Sequence, residues 1–357
     1  MAITPDSRFE KLRNWLFSFK DNYGFDLDSL RAASSDASFR RYFRVDAKDG
    51  TFIIMDAPPE KEDCKPFINI SERLKEASVN VPKILEKDET EGFLLLNDLG
   101  EKNYYSAIHD GLSDQKIQSI YLKAINELIK MQKANKEALP KYSKEKMLEE
   151  LKLFPEWYVS KLSKYELSAP QSIQLEEIFN LICERTSKEA QVFVHRDFHS
   201  PNIMYSPNDI APGIIDIMYS PNDIAPGIID FQDAVEGPIS YDLVSLIMDA
   251  RTTWDETRQL DWAIRYWEQA KSAGLQVPDD FSVFHENYEW MGLQRNLRIL
   301  GVFARLSIRD GKHHYLDHIP RVKKYVHQVA DRYSKLKPIS KLLNDIDQVK
   351  TRFGYTF

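Results

Sequence analysis

The chain has 357 residues, enough for two lobes with separate cores; 43% of the residues are hydrophobic, 29% are charged, and the net charge at pH 7 is −7. This net negative charge is not typical of a nucleic-acid-binding protein, which carries a basic surface, and it does not favour binding to an anionic membrane. No apolar run approaches a bilayer span, and the first residues do not have the pattern of a signal peptide, so we expect a cytoplasmic protein. Cys64 and Cys183 form no CxxC motif, so we expect neither structural zinc nor a disulfide.

The first hundred residues carry the pattern of a small antiparallel sheet with one packed helix. Apolar residues recur at helical spacing between Phe9 and Phe19, which predicts an N-terminal helix. The segments that follow are predicted as a strand at 38–45, a strand at 51–55, a polar helix over 64–77 and a strand at 92–100. In the first of these strands, Phe39, Phe43 and Val45 alternate onto one face.

The rest of the chain is predicted to be mostly helical. Apolar stripes at three- and four-residue steps indicate helices at 115–135, 145–163, 171–187, 240–250, 255–273, 285–309 and 320–336. Two strand-and-loop segments interrupt them, QVFVHRDFHSPNIMY at 191–205 and GIIDFQDA at 227–234. Because catalytic groups concentrate on loops that rigid elements hold, we expect the chemistry there. The two lobes are expected to span 1–100 and 101–357.

An exact internal repeat lies between these two segments. IMYSPNDIAPGIID occurs at 203–216 and recurs without a change at 217–230. Two copies are too few for a solenoid, which needs several stacked units. Only the second copy continues into Phe231-Gln232-Asp233, so we assign the functional aspartate to Asp230 and give no function to Asp216.

The strongest functional pattern is His195-Arg196-Asp197, followed by Asn202 and, after an apolar strand, by Asp230. Phosphoryl transfer needs an acceptor hydroxyl aimed at the γ-phosphate and a metal that neutralises the phosphates. A carboxylate near the acceptor orients the hydroxyl and takes its proton. An amide oxygen and a second carboxylate are hard ligands suited to Mg²⁺. The three parts occur in the order of a kinase catalytic loop.

A structural alternative exists for each of these residues. Asp197 and Asp230 alone would be ordinary loop caps, but their combination with Asn202 makes that interpretation the weaker one. His195 is expected to brace the loop rather than touch a substrate. Asp242, in SYDLVSL, is interpreted as a structural residue at a helix start.

HRDFHSPN at 195–202 together with IIDFQDA at 228–234 resembles the aminoglycoside phosphotransferase/choline kinase superfamily. A finer resemblance, to the bacterial cell-wall-recycling kinases that phosphorylate N-acetylmuramate and N-acetylglucosamine at the anomeric hydroxyl, is carried by ASSDASFRRYFR at 33–44, MDAPP at 55–59, LFPEWYV at 153–159, GPISYDLVSL at 237–246 and WMGLQRNLRILGVFARL at 290–306. The resemblance implies an α+β, two-lobed protein-kinase-like fold with a small antiparallel-sheet N-lobe and a mostly helical C-lobe. It also implies an ATP- and Mg²⁺-dependent phosphotransferase in which Asp197 is the base and Asn202 and Asp230 bind Mg²⁺.

By the same resemblance, the ATP site lies in the N-terminal lobe. Its phosphate loop would consist of Ser34, Ser35, Asp36, Ala37 and Ser38. Small side chains let backbone N–H groups approach phosphate oxygens there, although an ordinary turn is an equal alternative without the family. Asn97 and Leu99 belong to the expected hinge, whose backbone would pair with adenine.

One position departs from the kinase pattern. Kinase folds commonly carry a lysine on the third strand, and in TFIIM that position falls on Met55. Arg44 or Arg41 on the preceding strand is a candidate for the missing cation. The alternative, that these arginines are solvated strand residues, is favoured.

The acceptor site is predicted from aromatic rings beside polar groups, the combination that binds sugars. The candidates are Glu150, Phe154, Trp157 and Tyr158 on one segment, and Trp290, Gln294 and Arg298 on one helical face. An arginine at this site would recognise an acidic group such as a lactyl carboxylate. Packing of these aromatic residues in the core is the favoured alternative.

Two other functions compete with the sugar kinase. The first keeps the chemistry but changes the acceptor to an aminoglycoside, choline or another small alcohol. The second is a nucleotide-binding regulatory module without turnover, which the methionine at position 55 would suit. We expect a sugar substrate, no nucleic-acid or membrane partner, and a monomer or weak dimer.

Overall fold

The computed structural model describes residues 6–34, 39–205 and 225–353. The chain forms two compact units. The first comprises Met1–Lys102 and Met204–Asp233, and the second comprises Asn103–Ile203 and Ala234–Phe357. None of the helices in the described ranges combines the length and hydrophobicity that crossing a bilayer requires.

The described part of the first unit is built around an antiparallel sheet with the strand order β1-β2-β3-β5-β4. Its elements are α1 (Ser7–Phe17), α2 (Lys20–Tyr23), β1 (Phe25–Ser34), β2 (Arg41–Ala47), β3 (Gly50–Asp56), α3 (Lys65–Glu76), β4 (Ile84–Asp88) and β5 (Phe93–Asn97). Leu12 and Leu16 of α1 pack against Val45 and Ile54 of the sheet, and all four are fully buried. This apolar cluster holds α1 on one face of the sheet.

The strand prediction for 38–45 is partly wrong. Phe43 and Val45 are buried as expected, but β2 begins at Arg41, and Phe39 lies outside it with 60% of its surface exposed. The ring of Phe39 instead lies 4.8 Å from the Lys61 ammonium. Strands β1 and β4 were not predicted, because they form the two edges of the sheet and carry many polar residues.

A short strand, Gly227–Ile228, leads to Asp230 in the first unit and pairs with the strand that contains Met204. Asn80 fixes its position: the Asn80 carbonyl accepts the N–H of Ile228 at 2.8 Å, and the Asn80 amide donates to the carbonyl of Ala225 at 2.8 Å. A Cβ added at Gly227 would lie 2.7 Å from Leu99 Cδ1, so a larger residue there would require the Leu99 side chain to move.

The second unit is mostly helical in its described part. Its helices are α4 (Tyr104–His109), α5 (Asp114–Gln132), α6 (Lys144–Leu151), a π-helix (Phe154–Leu162), α7 (Ala169–Thr186), α8 (Tyr241–Ile247), α9 (Glu256–Ser272), α10 (Phe281–Asp310), α11 (Ile319–Ala330) and α12 (Lys337–Phe353). Two strands, β6 (Gln191–Val194) and β7 (Val235–Pro238), pair antiparallel. The single helix predicted over 145–163 is interrupted, since α6 ends at Leu151 and the π-helix starts beside Pro155.

Helix α10 is the long helix that brings several charged and polar side chains to the site described below. Asp280 caps its first turn by accepting the N–H of Ser282 at 2.8 Å, and Gly311 ends it with a φ of +67°. In its middle, Gly301 lies so close to Leu153 that an added Cβ would be 2.4 Å from the Leu153 carbonyl carbon. Helix α10 therefore runs in direct contact with the segment that joins α6 to the π-helix.

Candidate active site

Residues 195–202 form a loop that begins where β6 ends. Strand β6 is registered against β7, with Val194 opposite Val235, and the loop closes in a short 3₁₀ turn at Ser200–Asn202. Arg196 has a φ of +78°, in the left-handed region that non-glycine residues seldom adopt. A backbone of this kind persists only where its surroundings hold it in place.

The start of the loop is held by Asp242. This residue lies in the first turn of α8, as predicted, and it is fully buried. Its carboxylate accepts the backbone N–H of His195 at 2.6 Å and that of Arg196 at 3.0 Å. Burial raises the pKa of Asp242 to about 6, although the two amide hydrogen bonds favour the ionised form. Asp242 thus fixes both peptide units next to the strained residue.

The end of the loop is held by Asp249, which is 1% exposed. One carboxylate oxygen of Asp249 accepts the backbone N–H of Ser200 at 3.1 Å and also the Ser200 hydroxyl hydrogen. Sequence analysis did not identify Asp249. No local pattern marks it, because Asp249 lies beyond the end of α8 and contacts a residue 49 positions away.

Inside the loop, Asp197 and Asn202 are brought together. The Asn202 side-chain amide donates to the Asp197 carbonyl at 3.0 Å, and the N–H of His199 donates to the same carbonyl at 3.0 Å. The N–H of Asp197 donates to His195 Nδ1 at 3.3 Å, so His195 is placed to brace the loop. These contacts turn the nitrogen end of the Asn202 amide toward the loop backbone.

Positive charge surrounds the half-buried carboxyl group of Asp197. Burial alone would raise the pKa of Asp197, but His199 when protonated, Arg298 and Arg295 outweigh burial and hold the pKa below its ordinary value. His199 is itself buried, which together with the charge of Arg251 lowers its pKa to about 4. Arg298 and Arg295 keep their charge at neutral pH and favour the ionised form of Asp197.

Glu150 lies at the centre of a second buried cluster in the same unit. Its carboxylate accepts from Tyr142 at 2.5 Å and from Arg196 at 2.6 Å, and it pairs with Arg298 Nε at 2.9 Å. Gln294 joins the cluster by donating to the Tyr142 hydroxyl at 3.0 Å. The structure therefore brings together three of the predicted acceptor residues, Glu150, Gln294 and Arg298, and links them to the loop at 195–202 through Arg196.

The four aromatic acceptor candidates have other neighbours. Phe154 and Tyr158 are 0% and 1% exposed and stack on each other with centroids 5.5 Å apart. The Lys161 ammonium lies 3.5 Å from the centroid of the Trp157 ring. Trp290 is buried beneath the guanidinium of Arg185 and against Tyr333. The burial of Phe154, Tyr158 and Trp290 fits the alternative interpretation, in which they pack in the core.

In the first unit, the arginines proposed to replace a strand lysine are engaged by carboxylates. Arg44 donates to Asp98 at 2.5 and 3.0 Å and to Glu101 at 2.9 Å. Arg41 pairs with Asp56 and Asp6. Their charges therefore stabilise the sheet and the segment that follows β5.

The remaining ATP-site candidates are only partly described. The backbone of Ser34 pairs with Tyr42 at the end of β1, whereas Ser35, Asp36, Ala37 and Ser38 lie outside the described residues. Asn97, at the end of β5, accepts the N–H of Lys83 at 2.5 Å. Leu99 packs against Gly227. Met55 is fully buried in β3.

Asp230 follows the short strand at Gly227–Ile228 and has a φ of +65°. Its carboxylate accepts the Gln232 amide at 2.8 Å, and the next residue, Phe231, is buried against Phe67 with centroids 4.8 Å apart. Phe231 therefore anchors the segment while Asp230 stays partly exposed. Asp216, its counterpart in the first copy of the repeat, lies outside the described residues.

Comparisons with known proteins identify close relatives of the chain. Residues 29–280 match the model of the phosphotransferase enzyme family. The N-acetylmuramate/N-acetylglucosamine kinase of Neisseria meningitidis serogroup B is 40% identical over 352 residues, covering 97% of this chain and 98% of the relative. The protein of the same name from Pseudomonas aeruginosa is 37% identical over 355 residues, covering 97% and 99%. The resemblance inferred from the motifs is confirmed.

Solved structures establish the fold. A choline/ethanolamine kinase family protein from Mesorhizobium loti has a TM-score of 0.60 at 12% identity, covering 93% of this chain and 99% of its own. Ethanolamine kinase from Plasmodium vivax also has a TM-score of 0.60, at 12% identity, with coverages of 91% and 90%. An ADP-bound aminoglycoside phosphotransferase has a TM-score of 0.54 at 15% identity, covering 88% and 98%. The predicted fold class is confirmed.

The buried, neutral His199 predicts a pH dependence of folding. In the unfolded chain this imidazole takes up a proton near pH 6.5, whereas in the folded protein it does so near pH 4. Its contribution to stability is therefore present above pH 6.5 and is lost as the pH falls toward 4. Between pH 7 and pH 5, we expect the unfolding free energy of the unsubstituted protein to fall by about 1–2 kcal/mol more than that of His199→Gln.

Denaturant titrations at the two pH values measure this difference. His314→Gln, which removes an exposed histidine of the same unit, is the control and should follow the unsubstituted protein. Equal pH dependence in the unsubstituted protein and His199→Gln would contradict the assignment of a buried neutral imidazole.

Proposed function

Because the chain belongs to the phosphotransferase enzyme family and is a small-molecule kinase, we propose that it transfers the γ-phosphate of ATP, with Mg²⁺, to a sugar. The proposed acceptor is N-acetylmuramate or N-acetylglucosamine, phosphorylated at the anomeric hydroxyl. The observation that carries this proposal is the loop 195–202, in which buried carboxylates at both ends fix an ionised Asp197. The names of the relatives support the choice of acceptor.

In this proposal Asp197 is the general base. Its carboxylate accepts a hydrogen bond from the sugar hydroxyl and takes the proton as the new oxygen–phosphorus bond forms and the bond between the γ-phosphorus and the bridging oxygen of ADP breaks. Arg298 and Arg295 support this role because their charges favour the ionised form of Asp197. The fixed loop holds the carboxylate in one position, so little reorganisation accompanies the reaction.

Asn202 and Asp230 are the residues that we assign to Mg²⁺. The donor set fits the ion, because amide and carboxylate oxygens are the hard ligands that Mg²⁺ prefers. The Asn202 nitrogen donates to the Asp197 carbonyl, so the oxygen is the end of the side chain that would serve a cation. When bound, Mg²⁺ neutralises phosphate charge.

ATP is proposed to bind at Ser34–Ser38 and at the backbone of Asn97 and Leu99. The ADP-bound aminoglycoside phosphotransferase of the same fold supports a nucleotide cofactor. Arg44 is bound to Asp98 and Glu101, so its contribution to the phosphates would require exchanging a carboxylate partner. We further propose that the protein acts in the cytoplasm, as a monomer or weak dimer.

The acceptor is tested by incubating the protein with MgATP and each of five compounds: N-acetylmuramate, N-acetylglucosamine, glucosamine, choline and kanamycin. We expect ADP release and a sugar 1-phosphate, identified by mass spectrometry, with the two N-acetyl sugars. Asp197→Asn should lower kcat by about 10²- to 10⁴-fold, because it removes the base. Turnover only with choline or kanamycin would overturn the acceptor. ATP binding without turnover on any compound would instead favour a regulatory module.

The repeat supplies a matched pair of variants for the metal assignment. Asp230 and Asp216 end identical 14-residue sequences, but only Asp230 is assigned to Mg²⁺. We expect Asp230→Asn to lower kcat by at least about 100-fold, because a metal contributes several kcal/mol to the transition state. Asp216→Asn should leave kcat and the Mg²⁺ dependence unchanged. Equal losses in both variants, measured by ADP release against Mg²⁺ concentration, would contradict the assignment.

A further inference from the structure

One face of α10 runs alongside the segment between Tyr142 and the π-helix. Gln294 bonds to Tyr142, Arg298 pairs with Glu150, and Gly301 touches the backbone of Leu153. Continuing in the same direction, Arg305 occupies the next position on this face, seven residues after Arg298. Two helical turns separate the two arginines, about 10 Å along the axis, which long side chains can span.

Arg305 is a half-buried cation whose guanidinium lacks an ion pair among the described residues. Its Nε atom is buried and has no hydrogen-bond partner there. The two acidic groups whose charges act on Arg305 are paired elsewhere, since Glu156 pairs with Lys161 at 2.8 Å and Asp310 pairs with Arg309 at 2.7 Å. Burial, with the charges of Arg309 and Arg298, lowers the pKa of Arg305. A partly desolvated cation beside like charges is costly unless an anion binds to it.

Arg298 leaves hydrogen-bonding capacity next to Arg305. Its ion pair with Glu150 is made through Nε, and Glu150 is shared with Arg196, so a single carboxylate serves two guanidiniums. About a fifth of the Arg298 side chain is exposed. Arg298 is also close enough to Asp197 for its charge to lower the pKa of that carboxyl. An anion between Arg298 and Arg305 would bind to the terminal nitrogens of Arg298 rather than to its Nε.

We propose that Arg298 and Arg305 form a receptor for a carboxylate carried by the acceptor sugar, and that Arg305 sets the preference for acidic over neutral acceptors. This inference rests on the proposed function. When the reacting hydroxyl of the sugar is at Asp197, Arg298 would contact the sugar next to that hydroxyl. Arg305, farther along α10, would contact the substituent that carries the carboxylate. Two guanidiniums can hold a carboxylate through several charge-assisted hydrogen bonds, which is both strong and directional.

The two proposed acceptors provide the test, because N-acetylmuramate is N-acetylglucosamine with a lactic-acid ether added. We expect Arg305→Gln to raise the KM for N-acetylmuramate roughly 10- to 100-fold, the value of a lost hydrogen bond to a charged group. The KM for N-acetylglucosamine and for ATP should stay unchanged in the same variant, which also shows that it is folded. Arg305→Lys keeps the charge without the planar fork and should restore part of the affinity.

Arg265→Gln is the matched control, because it removes a partly exposed arginine of the same unit that pairs with Asp261 on α9. This variant should use both sugars as the unsubstituted protein does. An Arg305→Gln variant whose KM rises equally for both sugars, or rises for ATP instead, would overturn the carboxylate receptor while leaving the kinase intact. Failure of the unsubstituted protein to use either sugar would overturn the proposed function, and the inference with it.

Discussion

The carboxylate of Asp242 is the contact on which the geometry of the site depends. It accepts hydrogen bonds from both backbone amides at the start of the loop at 195–202, and it is buried completely. Burying a carboxylate is costly, and the raised pKa of Asp242 records that cost. Two short hydrogen bonds to backbone amides offset part of it. Removing the carboxylate would leave two buried N–H donors unsatisfied, which costs more stability than the two hydrogen bonds contribute in net terms.

Asp242 stabilises a backbone conformation at Arg196 that is unfavourable without such contacts. Arg196, with a φ of +78°, carries a conformational cost of about 1–2 kcal/mol relative to an ordinary residue. Its side chain is tied to Glu150, and Asp249 secures Ser200 at the other end of the loop. Asp197 and Asn202 lie between these fixed points. The arrangement places the strain next to the proposed base, where a fixed position is useful for catalysis.

The loop at 195–202 was predictable from the sequence because the residues that form its motif lie within eight positions of one another. Strand β6, the loop and the helix start at Asp242 follow from local patterns of hydrophobic and turn residues. Asp249 was missed because its function is a contact with Ser200, 49 positions away, which no local pattern encodes. The edge strand β4 was missed for a related reason: none of its five residues is fully buried and three of them are charged, so its apolar pattern is weak.

The acceptor residues show the limit of helical spacing as a guide. Periodicity correctly placed Gln294 and Arg298 on one face of α10, but it cannot tell a ring that faces a ligand from a ring that packs in the core. Phe154 and Tyr158 are completely buried against each other. Arg305 could not be singled out from the sequence either, since its distinguishing property is that neighbouring carboxylates are already paired.

The most direct test of this account is a double-mutant cycle between Asp242 and Asp197. Asparagine at position 242 keeps the shape of the side chain but retains a single oxygen for two backbone N–H groups. The substrates are MgATP and N-acetylglucosamine. We expect Asp242→Asn alone to lower kcat strongly. In the Asp197→Asn background it should lower kcat almost no further, because Asp242 acts by positioning Asp197. Losses that multiply in the double variant, with the fold verified by circular dichroism, would show that Asp242 acts independently and would contradict the account.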